Sequence, residues 1–506
     1  MFGDPPTLDP YKSLTLLVQT NTSFVYSRLL NFKSETDPAR YGTYDLQPDL
    51  AESFERSPDG TTYTFKLRQG VTFHNGKPFD SEDVVQSFRR FRELPHASVS
   101  SLAIVDTVQA PDARTVVFKI KEPYAPFIYL IASPFYMWIL PRDIVAGSID
   151  PTKTMVGTGP FQFVSYEPGV AVRFKKNPSY YLQGRPYLDE VVLNVVKDVE
   201  QRKAQLIAGN LHMAGPGSGI PLPDADAVKQ GRPTVRTVPL PIDAGNYIGF
   251  QALRPDSPYY DPKSPFNKDA VRIAASRAID RDALNKVMFG GRGVTPNVLP
   301  YGFTKWHVDI KSPALGDAGK NFEFSIPEAK RLLTEAGYPN GFDTKMHSAA
   351  NTVVIAQLPE LLANMLTQAG IRVQQVLEDY PSQYLPNTFQ KGQFDGLWFG
   401  ADGNFPEVDM FLYTNFHSKS SLRNHSNVAD PEMDRLIDAQ RRETDEAKRK
   451  QLIADIQKLN AQKMYVVPTA GAASQQILQP EVQGYAYGSG YGSGTETFAH
   501  IWLKPS

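Results

Sequence analysis

Near residue 265 the apolar periodicity of this chain changes, and that change limits its possible folds more than any other feature. Before it, apolar and polar residues mostly alternate. Tyr63, Phe65 and Leu67 alternate with Thr64 and Lys66, Thr115–Lys121 and Val170–Phe174 do the same, and Val191–Val196 reads as a buried β-branched strand. After it, helical spacing and short strand runs take turns. Ser325 and Glu328 form a capping box ahead of Leu332 and Leu333, and Gly337 ends that helix. Leu358–Ala369 is apolar at helical spacing, stops at Gly370 and leads into the strand Ile371–Leu377. Asp430–Asn460 reads as two charged amphipathic helices parted near Thr444-Asp445, with a short strand, Tyr465–Pro468, behind them. This pattern predicts a strand-rich N-terminal region followed by an α/β lobe with a mixed sheet. The chain shows no internal repeat.

At 506 residues the chain is too long for one core, and its 53 basic and 54 acidic residues give no sign of a polyanionic partner. No apolar run approaches the roughly 18–20 residues of a bilayer span. The longest, Pro126–Leu140, is interrupted by Ser133-Pro134 and reads as buried structure. The absence of cysteine removes disulfides, thiolate metal sites and cysteine nucleophiles. Phosphate-cradling motifs, the G-x-S-x-G elbow and H-E-x-x-H do not occur. Gly488–Gly494 reads as a flexible loop. The closest histidines, His417 and His425, read as solvated loop residues and not as metal ligands. Carboxylate pairs such as Glu407/Asp409 could serve as acid and base, but 54 acidic residues produce such pairs by chance.

Pro58–Phe88 carries more specific information. Pro58-Asp59-Gly60 is turn material, Asn75-Gly76 breaks the chain again, and Asp80 stands as an N-cap before Glu82, Asp83 and the stripe Val84, Val85, Phe88, Phe91. This stretch resembles the signature of the extracellular solute-binding proteins of family 5, the oligopeptide- and dipeptide-binding components of ATP-driven (ABC) importers. Asp4–Leu30, Val156–Phe161, Asn246–Gln251, Val271–Asp282 and Glu328–Phe342 are similar to further landmarks of that family. The resemblance implies an α/β, two-lobed periplasmic-binding-protein fold (type II, cluster C) with mixed sheets, a two-segment hinge and an extra domain on the N-terminal lobe. Lobe I would hold residues 1–42, 159–255 and 476–506, the extra domain 43–158, and lobe II 256–475.

The segment read as ligand-binding is Phe394–Phe416. Leu397-Trp398-Phe399 ends a strand, and Gly400, Ala401, Asp402, Gly403 and Asn404 form a loop whose small residues permit close approach. In peptide-binding relatives an Asp after a tryptophan-containing strand pairs with the ligand's α-ammonium, and the residue similar to it here is Asp402. An alternative reading is that Asp402 caps the following turn. Trp398 lies four positions before Asp402, further than relatives place it, which weakens the case for a peptide as ligand. Tyr380, Tyr485, Phe24 and Tyr26 are further wall candidates, each equally readable as core. Trp306 and Tyr301 could stack a sugar ring.

The reading is therefore a monomeric, non-enzymatic, extracytoplasmic or periplasmic binding protein. It would capture an oligopeptide-like solute between its lobes by hinge closure and pass it to a membrane permease. No cofactor, metal or nucleic acid is expected. Competing readings are an oligosaccharide binder, a nickel-chelate binder, a hydrolase, and a sensor with no transport role. Met1–Asp4 has neither a basic nor an apolar leader region, which fits a cytosolic protein or one whose signal peptide has been removed; the resemblance implies the second, with lipid anchoring left open.

Overall fold

A computed structural model describes residues 1, 3–13, 15–94, 102–215, 219–240, 244–350, 357–403, 405, 407–420, 428–488 and 494–505. The chain divides into two units: Met1–Leu240 with Ser474–Ser506, and Pro241–Ala473. The solvated alternation of the first half and the helix–strand alternation of the second fall largely into different units.

The first unit is built on antiparallel sheets. Four strands, Ala51–Arg56, Thr62–Leu67, Thr115–Ile120 and Val105–Asp112, pair in that order. Tyr63, Phe65 and Leu67 are buried and Lys66 is exposed, as the period-2 pattern demands. The helix Ser81–Glu93 covers this sheet with Val84, Phe88 and Phe91, and Phe88 meets Phe118 edge to face at 5.8 Å. Its N-terminus is a reciprocal cap: the Glu82 N–H donates to Asp80 at 2.9 Å and the Asp80 N–H to Asp83 at 3.0 Å. Pro126–Leu140 contributes Phe127, Leu130, Ile131 and Trp138 to the core, so the longest apolar run is buried structure. Phe161–Glu167, Ala171–Lys176 and Glu190–Asn194 form a three-stranded meander. The last of these was expected as a wholly buried run. It is an edge strand covered on one face, so only Val191 and Leu193 are buried within it. Arg236–Pro239 pairs antiparallel with Gln475–Leu478, so the outgoing and returning segments are bonded together within this unit.

A buried ion pair ties the C-terminal segment to the start of the same unit. Arg28 stacks on Trp138 at 4.6 Å and pairs with Glu496, both side chains being sealed from solvent. Burial outweighs the pull of Arg28 and pushes Glu496 up to about 7 from an ordinary 4.5. An acid whose folded pKa is raised stabilises the fold fully below its unfolded pKa, and that contribution fades as pH climbs through the folded value. Stability from this group is therefore expected to fall between pH 4.5 and about 7. Urea melts of Glu496→Gln at pH 5, 6 and 7 should show this part of the slope removed. The whole curve should drop as well, because Arg28 is left buried without its partner.

The second unit is a five-stranded mixed sheet with helices packed on one face. Its strands are β1 (Ala244–Phe250), β2 (Phe342–Ala349), β3 (Ile371–Glu378), β4 (Leu397–Gly403) and β5 (Val466–Thr469), in the spatial order β3-β2-β4-β1-β5. β2, β3 and β4 are mutually parallel, and β1 runs antiparallel to both β4 and β5. Ile248, Phe250, Met346, Leu397 and Phe399 face the helical core, together with Leu358, Leu362 and Leu366 of helix α1 (Leu358–Ala369). The helices expected within 430–460 occur at Pro431–Arg442 and Glu446–Lys463. The Val271–Asp282 landmark is an arginine staple. Arg281, buried and pushed down to about 9 by that burial, donates to the carbonyls of Pro468 at 3.0 Å, Phe322 at 2.7 Å and Ser276 at 3.1 Å.

Candidate functional site

β2 and β4 are in register only at Met346 with Leu397 and His347 with Trp398. Beyond those residues β2 stays bonded to β3 through Glu378, whereas β4 stays bonded to β1 through Gly403. The two parallel strands therefore part at their C-terminal ends, where open α/β sheets form crevices. A cavity of about 200 Å³ lies there, lined by Ser348, Ala349, Pro359, Tyr380, Tyr384, Phe389, Phe399, Gly400 and Ala401.

The segment Tyr380–Phe389, a wide helical coil capped by Asp379, supplies the aromatic wall. Tyr380 stacks on Tyr384 at 6.0 Å and 25°, Tyr384 packs on Phe389 at 6.0 Å, and Phe389 meets Trp398 edge-on at 5.9 Å. The Tyr384 hydroxyl donates to the Phe399 carbonyl at 3.0 Å, giving a donor to a strand that has lost its neighbour. This approach requires glycine at 400, since a Cβ there would stand 2.1 Å from the Tyr384 oxygen. Gly249 plays the same part beneath Trp398, whose Nε1 would lie 1.9 Å from a Cβ.

The residues singled out from sequence separate on this frame. Phe399, Gly400, Ala401 and Tyr380 all line the cavity, and Tyr380 is 41% exposed. Trp398 is buried over Gly249 and does not line it. Asp402 is 4% exposed, next along β4 from the cavity lining, and its Oδ1 accepts from the Gly403 N–H at 2.8 Å. Burial, and after it the Asp402 charge, holds the Tyr247 hydroxyl well above the ordinary phenol range, and burial and the neighbouring Tyr380, with Asp402 behind them, do the same for Tyr384. Asn404 lies outside the described residues. Tyr485 belongs to the first unit, where it is half-buried. Phe24 and Tyr26 also belong there, both at 0% exposure; Phe24 stacks on Phe174 at 4.9 Å, and neither ring has surface to offer a solute. Trp306 is buried under Arg449, so it presents no stacking face, while Tyr301 is exposed.

One reading needs correction. His417 is not solvated: it is buried against Tyr413 at 4.4 Å with Asp438 3.4 Å from its Nε2, while His425 lies outside the described residues. Glu407 and Asp409, set aside above as a chance pair, are not an acid and base in an open site. Both are buried, Glu407 taking Arg449 at 2.5 Å and Asp409 taking Gln440 at 2.5 Å, and they lock the helix Val408–Phe416 to the two that follow. Among the described residues no cluster of three or more His, Cys, Asp or Glu could hold a metal ion, and no helix is long and apolar enough to cross a membrane.

Sequence reasoning missed Ser348, Ala349, Pro359, Tyr384 and Phe389. The usable signal was the C-terminal end of a second parallel strand, but Phe342–Ala349 has too few alternating residues to announce itself.

The model of the bacterial extracellular solute-binding proteins, family 5 (middle), matches residues 45–422. The glutathione-binding protein GsiB of Pectobacterium atrosepticum is 30% identical over 375 residues, 73% of this chain and 66% of that protein's length. Heme-binding protein A of Haemophilus influenzae is 29% identical over 497 residues, covering 91% of this chain and 84% of the relative. Among solved structures, the periplasmic binding protein DppA of Helicobacter pylori, in complex with the peptide STSA, superposes with a TM-score of 0.79 at 24% identity, over 99% of this chain and 97% of the other. The substrate-binding protein CtaP of Listeria monocytogenes reaches 0.83 at 21% identity, over 100% and 98%. These likenesses establish a periplasmic-binding-protein fold.

The site's architecture rests on the close approach at Gly400. Gly400→Ala should destabilise the protein by about 1–3 kcal/mol in urea denaturation, because overpacking forces the Tyr384 coil away. The loss should shrink in a Tyr384→Phe background, where the clashing oxygen is gone; an unchanged loss would place the strain elsewhere.

Proposed function

The chain belongs to the family 5 bacterial extracellular solute-binding proteins, and from that premise we propose that it is the solute-capturing component of an ABC importer for an oligopeptide-like ligand. The observation that carries this reading is the aromatic cavity at the parted ends of β2 and β4, with the buried carboxylate of Asp402 next along the strand. Aromatic walls hold apolar parts of a solute, and a desolvated carboxylate is the partner an α-ammonium needs. Relatives named for glutathione and a neighbour solved with the peptide STSA support a peptide-like solute. Phe399, Gly400, Ala401, Tyr380 and Asp402 are the contacts proposed in this unit.

The protein acts in this reading outside the cytoplasmic membrane, as a monomer, without chemical turnover, and hands its solute to a membrane permease. Its extra N-terminal domain at 43–158 serves as scaffold. Truncating one partner of a buried ion pair across an interface costs about 2–5 kcal/mol. Asp402→Ala should therefore weaken a peptide with a free amino terminus by at least about tenfold in isothermal titration. The same peptide acetylated at its amino terminus should bind both proteins alike. Indifference of the free peptide to the substitution would remove Asp402 from the site. Chromatography of ligand after prolonged incubation should recover it intact.

A further inference from the structure

The cavity is small and one-sided in its chemistry, and both properties bear on which solute it takes. A volume of about 200 Å³ is only slightly larger than the roughly 150 Å³ apolar cavity that holds benzene. It falls below the roughly 300–1,000 Å³ of sites that enclose a whole drug-sized ligand. It therefore houses one group of the solute and not the solute entire. The wall is aromatic on one side, from the near-parallel rings of Tyr380 and Tyr384 and from Phe389. Phe399, Pro359 and the methyls of Ala349 and Ala401 complete it. Such a slot suits a flat ring, which gains offset or edge-on stacking beyond its buried area.

The polar features of the slot are not equivalent. The Tyr384 hydroxyl is spent on the Phe399 carbonyl at 3.0 Å. Ser348 lines the cavity from the end of β2 and is 2% exposed, and its buried Oγ has no hydrogen-bond partner among the described residues. A buried hydroxyl left unpaired costs about 1–3 kcal/mol, which a ligand group bonded to it would recover. Ser348 can donate or accept, so the matching group is a hydroxyl or N–H on the ring edge.

Resting on the peptide reading above, we propose that this cavity is a side-chain pocket selective for an aromatic ring with a polar edge, the phenol of a tyrosine-like residue being the best fit. Ser348 is the specificity-determining contact, and Ala401, exposed at the mouth of the slot, limits entry to it. This chain then prefers ring-bearing peptides to glutathione, which has no ring.

Isothermal titration of the intact protein, Ser348→Ala and Ala401→Leu against Ala-Ala-Ala, Ala-Phe-Ala, Ala-Tyr-Ala and glutathione tests this, with thermal melts confirming that each variant is folded. The wild type should bind Ala-Tyr-Ala at least about tenfold more tightly than Ala-Ala-Ala or glutathione. It should also bind it a few-fold more tightly than Ala-Phe-Ala. Ser348→Ala should erase the difference between Tyr and Phe. Ala401→Leu, which obstructs the mouth of the slot, should shrink the ratio of Tyr to Ala to less than about twofold. Ring-bearing and ring-free peptides binding the wild type equally would overturn the pocket assignment and leave the peptide reading standing. If no peptide binds, 4-ethylphenol decides: binding to the wild type and not to Ala401→Leu keeps the ring pocket and removes the peptide reading, and binding to neither removes both.

Discussion

The candidate site depends on one constraint: two parallel strands that each have a better partner elsewhere. β2 is held by β3 along its whole length and β4 by β1 along all of its own, so their shared contact ends after two residues. Strand twist accumulates separately in each pair, and a gap opens where the strands would have continued together. Backbone groups facing such a gap must find partners, and the Tyr384 hydroxyl takes the Phe399 carbonyl. The coil that delivers Tyr384 also delivers Tyr380 and Phe389, so satisfying the backbone and building the aromatic wall are one event.

The charged groups that stand out in the sequence mostly hold the frame around that gap. Glu407 caps the helix that follows β4 and is locked by Arg449, and Asp409 is locked by Gln440 from the next helix. Arg281 ties β5 to two helix ends through carbonyl oxygens and the Ser276 hydroxyl. In the first unit Arg28 and Glu496 do similar work at the C-terminal segment. Burial makes each of these arrangements costly to break, which fixes the backbone without supplying reactive chemistry. A rigid frame of this kind is what a binding site needs in order to discriminate among solutes.

Much of the fold was legible because its signals are local. Asp80 and Ser325 cap helices where the sequence places them, and Leu358–Ala369 begins and ends at the residues its periodicity marks. Period-2 burial in Tyr63–Leu67 follows directly from side-chain alternation. The candidate site was half legible: Phe399, Gly400 and Ala401 were named from the strand-to-loop pattern and Tyr380 from the resemblance, whereas Tyr384 and Phe389 lie in a run with two prolines and aromatics at no clear period. His417 was misread because a Ser- and Asn-rich neighbourhood says nothing about the distant Asp434 and Asp438 that pack around it.

By itself the sequence determined the two halves of different rhythm, the caps and stops of the helices, and the strand that ends at the site. Only the tertiary structure decided which aromatics face a cavity and which fill a core. Phe24, Tyr26 and Trp398 are as apolar as Tyr380, Tyr384 and Phe389, yet the first three are sealed and the others line open space. Apolar character sets how strongly a ring leaves water. Where it ends up is set by non-local strand register, here the early parting of β2 from β4, and no short window of residues encodes it.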